Sequence, residues 1–517
     1  MEAAPVPAIS LFERAPLVTR TSLPTYAVQS RIVPAIPGDL APETLEAAVL
    51  ASSMQPKSPE AGRVLDALAG FETVPASPVG SRGALGVARA RAAAWRLRND
   101  RADLEAVSRF FVWVAEHYDE LLRRSDLRDG AADLIELAVV FYRYTGASGC
   151  LKLLERLRRD CTDWSVRLRT FDQTRPTSAE GGYSAVGVAD ALRGLLFLSE
   201  YSGNRTEAET AEMAWPRIKR WHGAVCGGTS GAPGLGGLSP SAPVSAGTVG
   251  AWAETMAAFA ADGAAWAVDE AERLLLNAVP MALREGTFAV NQPHGKAHPG
   301  RDAADDARLL RGLTALLSAA VLRLPDGLRV NYAAPVVCGM AVNGKRVTVQ
   351  TEAREHGLSV RVEPEAPVSM KAEIRVPRWL EDAVLTVNEE KQPCAAGGIA
   401  VMRREWKRGD LITLTGSPGL RVEPAYHQGR CVYSGAVLMA VDTAGGADWA
   451  FALEDASRGG SGEVSAVLRP VGGWKVSGDG PRDLPVLPPR EGGTVLLPMR
   501  PAADAEARMA MLAGCGR

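Results

Sequence analysis

At 517 residues the chain is too long for one small core, and its length points to roughly two to four domains. Apolar residues make up 46% and charged residues 23%, the mix of a globular protein, which excludes a disordered chain. With 58 basic against 60 acidic residues, the net charge of −2 gives no electrostatic footprint for a phosphate backbone or an anionic membrane, so neither nucleic acid nor a membrane is expected as a partner.

The start, Met1-Glu2-Ala3-Ala4-Pro5, lacks the positive charge and apolar run of a signal peptide. No later segment approaches the roughly 20 apolar residues that cross a bilayer. Cys150, Cys161, Cys226, Cys338, Cys394, Cys431 and Cys515 are scattered with no Cys-x-x-Cys pair, which argues against a disulfide framework and a thiolate zinc site. Reduced, core-type cysteines and a cytoplasmic location are the expectation.

Residues 1–40 read as a proline-rich arm with short strands at Leu17-Val18-Thr19 and Arg31-Ile32-Val33. From 41 to 330 the period is helical. Leu134, Leu137, Ala138 and Phe141 take the i, i+3, i+4, i+7 spacing of one buried face, and Val249, Trp252, Ala253, Met256 and Phe259 do much the same. Three such helices end alike, at Gly146, Gly203 and Gly263, which lie 57 and 60 residues apart. Glycine takes the left-handed conformation that closes a helix, and a near-constant interval holding two helices marks repeated helical hairpins. Six hairpins fit before residue 330 and predict an (α/α)6 helical barrel, although a solenoid of the same hairpins shares the periodicity.

A glycine-rich break runs from Cys226 to Gly237 between His222 and Thr248, long enough to be functional or mobile. It follows no strand and carries no lysine of a phosphate-binding loop, so nucleotide binding is not expected. Over 331–455 the period becomes two. Arg346–Gln350 follows the turn pair Asn343-Gly344, Leu358–Val362 continues the alternation, and further strands read at 371–376, 384–388, 411–415 and 431–441, which predicts a β-sandwich after the barrel. The remainder, 456–517, reads as a flexible stretch at 456–463, a second β segment and a short terminal helix over 502–512.

Three runs in the β region carry a resemblance: Ile374-Arg375-Val376-Pro377-Arg378-Trp379, Ala383-Val384-Leu385-Thr386-Val387-Asn388, and Arg404-Glu405-Trp406-Lys407-Arg408-Gly409-Asp410. With Gly429-Arg430, Tyr433-Ser434-Gly435-Ala436-Val437-Leu438 and, in the helical part, Trp221-His222-Gly223, Leu238-Ser239-Pro240-Ser241, Glu270, Arg273 and Asn277-Ala278-Val279-Pro280, they resemble the β-L-arabinofuranosidase family, glycoside hydrolase family 127 and its relatives. The resemblance spans roughly 185–445. It implies a barrel whose mouth holds a sugar, with a cysteine nucleophile held beside a glutamate and further cysteines around zinc. Glu254 falls on the family's glutamate, but Met256 stands at the neighbouring cysteine position. The family's paired cysteines correspond to about Arg301-Asp302, and no cysteine lies between 226 and 338. Ser184 and Gly187 replace a His and an Asn of one subgroup, and Ala232-Pro233 its acidic pair. A thioether does not ionise and an alanine transfers no proton, so the cysteine–zinc mechanism is not expected, and no metal or other cofactor is.

The candidate catalytic residues are therefore carboxylates: Glu254 with Asp302, Asp305 or Asp306, which would serve a metal-free glycosidase if about 5–10 Å apart across one cavity. Each has a plainer reading, Glu254 as a structurally paired glutamate and the aspartates as caps of a helix start. His222, Ser230, Thr248, Trp252, Asn291 and Gln292 are the candidate substrate-binding residues around the glycine-rich break. His294 and His298 lie among prolines and glycines and read as a surface loop. The expected function is a glycoside-hydrolase-like protein acting on or binding a small-molecule or glycan ligand in the barrel mouth. A pseudoenzyme, or a repurposed biosynthetic enzyme of the lyase or cyclase type, is the alternative.

Overall fold

The computed structural model describes residues 17–21, 41–42, 44–54, 59–75, 81–123, 131–178, 183–292, 302–354, 357–425, 429–442, 450–460, 463–471, 495–505, 508–509 and 511–514. Its first half alternates inner and outer helices. The inner ones are α1 (Leu45–Met54), α3 (Ser81–Arg98), α6 (Ala132–Thr145), α9 (Ala185–Ser202), α11 (Ala246–Asp262) and α14 (Ala303–Ala320). Between them run α2 (Pro59–Ala67), α4 (Arg101–Glu116), α5 (Tyr118–Arg123), α7 (Ser148–Asp160), α8 (Trp164–Arg169), α10 (Thr206–His222) and α12 (Ala265–Arg273), which passes through a π-helical turn at Leu274–Ala278 into α13 (Val279–Glu285). Each inner helix packs on the next, and α14 packs back on α1. That last contact closes the ring into an (α/α)6 barrel and rules out the solenoid. The glycines that marked the repeat cap α6, α9 and α11, with φ of 67°, 69° and 103° at Gly146, Gly203 and Gly263.

The inner helices α11 and α14 run parallel. Where α11 meets α14, Gly247 lies against Asp305, Gly250 against the backbone of Arg308 and Leu309, and Ala253 against Gly312. Small residues on both helices allow this approach.

The β region holds three sheets. A seven-stranded sheet, ordered β1-β5-β6-β7-β12-β9-β10, contains β1 (Leu17–Thr21), β5 (Val336–Val342), β6 (Lys345–Arg354), β7 (Gly357–Pro364), β9 (Leu380–Val387), β10 (Glu390–Gln392) and β12 (Asp410–Pro418). A four-stranded sheet, β11-β8-β4-β3, contains β3 (Val321–Leu324), β4 (Gly327–Val330), β8 (Val368–Arg375) and β11 (Ile399–Trp406). Their inward side chains, among them Val349, Val360, Ile374, Leu385, Trp406 and Ile412, share one core, the expected β-sandwich. A nine-stranded sheet follows with a smaller core around Val432, Leu453 and Leu468; it runs β13 (Leu420–Pro424), β14 (Arg430–Ser434), β20 (Met511–Gly514), β16 (Ala450–Arg458), β17 (Val464–Val471), β18 (Val495–Pro501), β15 (Val437–Asp442), β19 (Arg508–Met509) and β2 (Asn291–Gln292).

Several local expectations need correction. The strand expected over 431–441 is a hairpin, β14 and β15, because Gly435 with φ of 61° turns the chain. The first residues of the expected flexible stretch, Ala456–Arg458, belong to β16 and pair with Val464–Ala466. The terminal helix expected over 502–512 is a single 3-10 turn, Ala502–Asp504, followed by β19 and β20. The strand expected at 31–33 lies outside the described residues. No helix of the described residues is long and apolar enough to cross a membrane.

Candidate functional site

Each of the six inner helices carries charge on its inner face, and these groups meet on the axis. Glu46 comes from α1, Arg89 from α3, Asp133 and Glu136 from α6, Asp190 and Arg193 from α9, Glu254 from α11, and Arg308 and Arg311 from α14. Glu254, 6% exposed, is the centre of this lattice. Its Oε1 takes Arg311 Nη2 at 2.8 Å and Nε at 2.9 Å; its Oε2 lies 2.6 Å from Arg308 Nε and 3.0 Å from Arg193 Nη1. Arg311 also reaches Asp133 at 3.0 Å, and Arg89 holds Glu46 at 2.8 Å and Glu136 at 3.3 Å. Arg193 pairs with Asp133, and Arg308 with Asp190.

Burial by itself would raise the pKa of Glu254, but the guanidiniums of Arg193, Arg308 and Arg311 outweigh it and hold the carboxyl at about 2. Asp133 is likewise held well below the usual carboxylate range, its desolvation overcome by Arg311, Arg89, Arg308 and Arg193. Asp190 goes the other way: burial pushes it up, and Arg308 and Arg193 offset this only in part.

The aspartates expected to partner Glu254 stand at the N-terminal end of α14, level with the start of α11, whereas Glu254 lies at the middle of α11. Asp302 is exposed and caps α14, accepting from Ala304 N at 2.9 Å. Asp305 packs against Gly247, seven residues before Glu254 on α11, about 10 Å along the axis at 1.5 Å per residue. Asp306 follows on the first turn of α14. The residues of α14 that do reach Glu254 are Arg308 and Arg311, one and two turns further in.

Four of the candidate substrate-binding residues, His222, Ser230, Thr248 and Trp252, are buried around the glycine-rich segment, which is folded down over the N-terminal end of α11 rather than open. His222 is fully buried; its Nε2 donates to the Gln173 carbonyl at 2.8 Å, and its Nδ1 accepts from Gly237 N at 3.1 Å. Trp252 Nε1 donates to Thr229 Oγ1 at 2.8 Å, Thr248 Oγ1 to the Gly231 carbonyl at 2.9 Å, and Ser230 Oγ to the Gly237 carbonyl. Gly228, with φ of 68°, aims its N–H at Glu270 Oε1, while Lys219 pairs with Oε2 of the same carboxylate. Asn291 and Gln292 form β2 at the edge of the nine-stranded sheet, paired with Met509 and Arg508. These polar groups secure the segment; the void left among Gly223, Ser230, Gly237, Ser239 and Val290 is about 10 Å³. His294 and His298 lie outside the described residues.

Two residues of the resemblance bind the barrel to the nine-stranded sheet. Arg273 approaches Glu423 at 3.3 Å and lies over the Tyr433 ring, and Asn277 bridges the Ala436 carbonyl and Leu438 N at 3.0 and 2.7 Å.

The His222 latch is pH-sensitive. Burial holds its imidazole below 6.5, partly offset by the bond to Gln173. The unfolded chain therefore takes up the proton first, so this stabilisation is complete above about pH 6.5 and erodes as pH falls from there toward the folded value. Urea midpoints should drop between pH 7.5 and pH 5 more in the wild type than in His222→Gln; equal pH dependence in the two would remove His222 as a cause.

Residues 328–416 match the family model described as the middle domain of β-L-arabinofuranosidase, GH127. No curated protein matches the chain. Among solved structures, one described as a glycoside hydrolase superposes with a TM-score of 0.70 at 16% identity, covering 92% of both chains. A GH127 β-L-arabinofuranosidase from Geobacillus stearothermophilus T6 gives 0.62 at 16% identity, over 91% of this chain and 89% of that one. A GH127 β-arabinofuranosidase gives 0.65 at 13% identity, over 92% and 87%.

Proposed function

We propose that this chain, which carries a GH127 middle domain over residues 328–416 and has the fold of the family 127 structures, is a glycoside-hydrolase-like protein that binds a glycoside at its barrel mouth without cleaving it. The observation that carries this reading is the state of Glu254. A glycosidase needs one carboxyl protonated and one free to act as base or nucleophile. Glu254 at about 2 holds no proton near neutral pH; its Oε1 is hydrogen-bonded by Arg311, and its Oε2 stands in ion-pair range of Arg308 and Arg193 without a hydrogen bond among the described residues.

The donor set also fails to fit the zinc that the resemblance implies. Glu254 is the one family ligand position that keeps its residue, and three guanidiniums stand where a cation would have to approach it. Met256, fully buried two residues on, offers a thioether in place of a thiolate. Among the described residues no three His, Cys, Asp or Glu side chains are arranged to hold a metal ion. The arginines supply the positive charge that such a site would otherwise take from a metal.

A second reading has one observation in its favour. Asp190 and Glu254, both held by Arg308, have pKa values pushed in opposite directions, the pattern of an acid and base pair. Assaying purified wild-type protein on aryl pentofuranosides and pyranosides decides between them. No turnover above a mock purification, together with saturable binding of at least one glycoside, is the expected result. Hydrolysis that disappears in Asp190→Asn would overturn the proposal in favour of the acid and base pair.

A further inference from the structure

The cavity of interest lies in the barrel wall, apart from the mouth. It is a cleft of about 200 Å³ between α6, α7, α8 and α9. Its floor is apolar, built by Ile135 of α6 and by Ala191, Leu195 and Leu198 of α9. At the inner end is Asp190, 8% exposed. Its Oδ1 receives Arg193 at 3.1 Å and Arg308, while Oδ2 accepts no hydrogen bond from the described residues. Trp164, also 8% exposed, lines one side, and its indole N–H has no acceptor among the described residues. Arg158 and Glu207 lie at the rim, paired with each other at 2.5 Å.

These groups select by charge. A cation reaching Asp190 would meet Arg193 and Arg308 behind it, and an anion would meet Asp190 itself. A neutral ligand with hydroxyls satisfies both the open acceptor and the open donor, which would otherwise be left without partners as a ligand displaced water. The apolar floor suits the C–H face of a ring. The volume is below the roughly 300–1,000 Å³ of pockets for larger ligands, so one ring fits and a chain of sugars does not. We propose that this cleft binds a single neutral sugar ring, with hydroxyls donating to Asp190 Oδ2 and accepting from Trp164 Nε1. The site is separate from the barrel mouth and does not rest on the reading given for it.

The test is titration of the full chain with free L-arabinose, D-galactose and D-glucose, followed by ligand-observed NMR. Trp164→Phe keeps a ring and removes the N–H; Ala191→Leu fills the cleft from its floor without touching the ion pairs. One of the three sugars is expected to bind the wild type, about fivefold more weakly to Trp164→Phe, and not detectably to folded Ala191→Leu. No binding of any of the three to the wild type overturns the proposal, as does binding that is unchanged in both variants. If Ala191→Leu does not fold, Trp164→Phe decides alone. Asp190 belongs to both the cleft and the axis lattice, so Trp164→Phe and Ala191→Leu, which leave that lattice in place, are what distinguish binding here from binding at the mouth.

Discussion

Glu254→Gln should lower the unfolding free energy by about 3–5 kcal/mol, read as a fall in the urea midpoint at pH 7. Removing this carboxylate takes from Arg193, Arg308 and Arg311, all at 3.0 Å or less, the buried anion they share, and leaves them to Asp133, Glu136 and Asp190. The pH dependence gives a second estimate. Folding takes the Glu254 pKa from 4.5 to about 2, and about 1.4 kcal/mol per unit makes this about 3 kcal/mol. The folded pKa is depressed, so this stability is present above about pH 4.5 and is lost as pH falls toward 2. Asp190, raised on folding, acts in the opposite sense and is relieved by acid, so the acid limb of the wild type is shallower than Glu254 and Asp133 alone would make it. A Glu254→Gln protein within 1 kcal/mol of the wild type at pH 7 would mean the lattice contributes little net stability.

The second large effect is expected at Gly250→Ala, a loss of about 3 kcal/mol. A Cβ at this position would lie 2.5 Å from the Arg308 carbonyl carbon and 2.6 Å from Leu309 N. Both are backbone atoms of α14, so no rotamer change relieves the clash and the two helices have to move apart. The same displacement would pull Arg308 and Arg311 from Glu254, coupling the packing of the pair to the charges it aligns. Gly263→Ala is a useful contrast, because its cost comes from φ of 103° and nothing lies within 4 Å of the added carbon. Chemical denaturation of the two variants separates the causes, and a Gly250→Ala protein as stable as the wild type would show that α11 and α14 have slack.

Much of the architecture was legible because it depends on local rules. Gly146, Gly203 and Gly263 end their helices for the reason any glycine does, and their spacing exposed the repeat. Alternation along Arg346–Gln350 and Leu358–Val362 matched β6 and β7 because one face of each strand is buried. The plainer reading of Glu254, a structurally paired glutamate, is what the lattice supports; its partners were not legible. Arg193 and Arg308 are 61 and 54 positions away in sequence, and Glu46 and Arg89 lie further still. A signal was available: Asp190 and Arg193 are the two charges in the otherwise apolar run Val188–Leu198, and charges on a buried helix face require partners. Asp190 was missed for the same reason.

By itself, the sequence determined the period of each segment, the helix stops and the change from helix to strand near residue 330. These are properties of neighbours along the chain, and elementary sterics and burial are sufficient to read them. Only the tertiary structure decided that six helices close into a ring, that the carboxylates and arginines on their inner faces pair with one another on its axis, and that the glycine-rich segment is fastened down by His222, Thr248 and Glu270. The physical reason is that a charge has no fixed meaning until its surroundings are known. The same glutamate is an acid in an apolar pocket and a permanent anion among guanidiniums, and nothing near Glu254 in the sequence distinguishes the two.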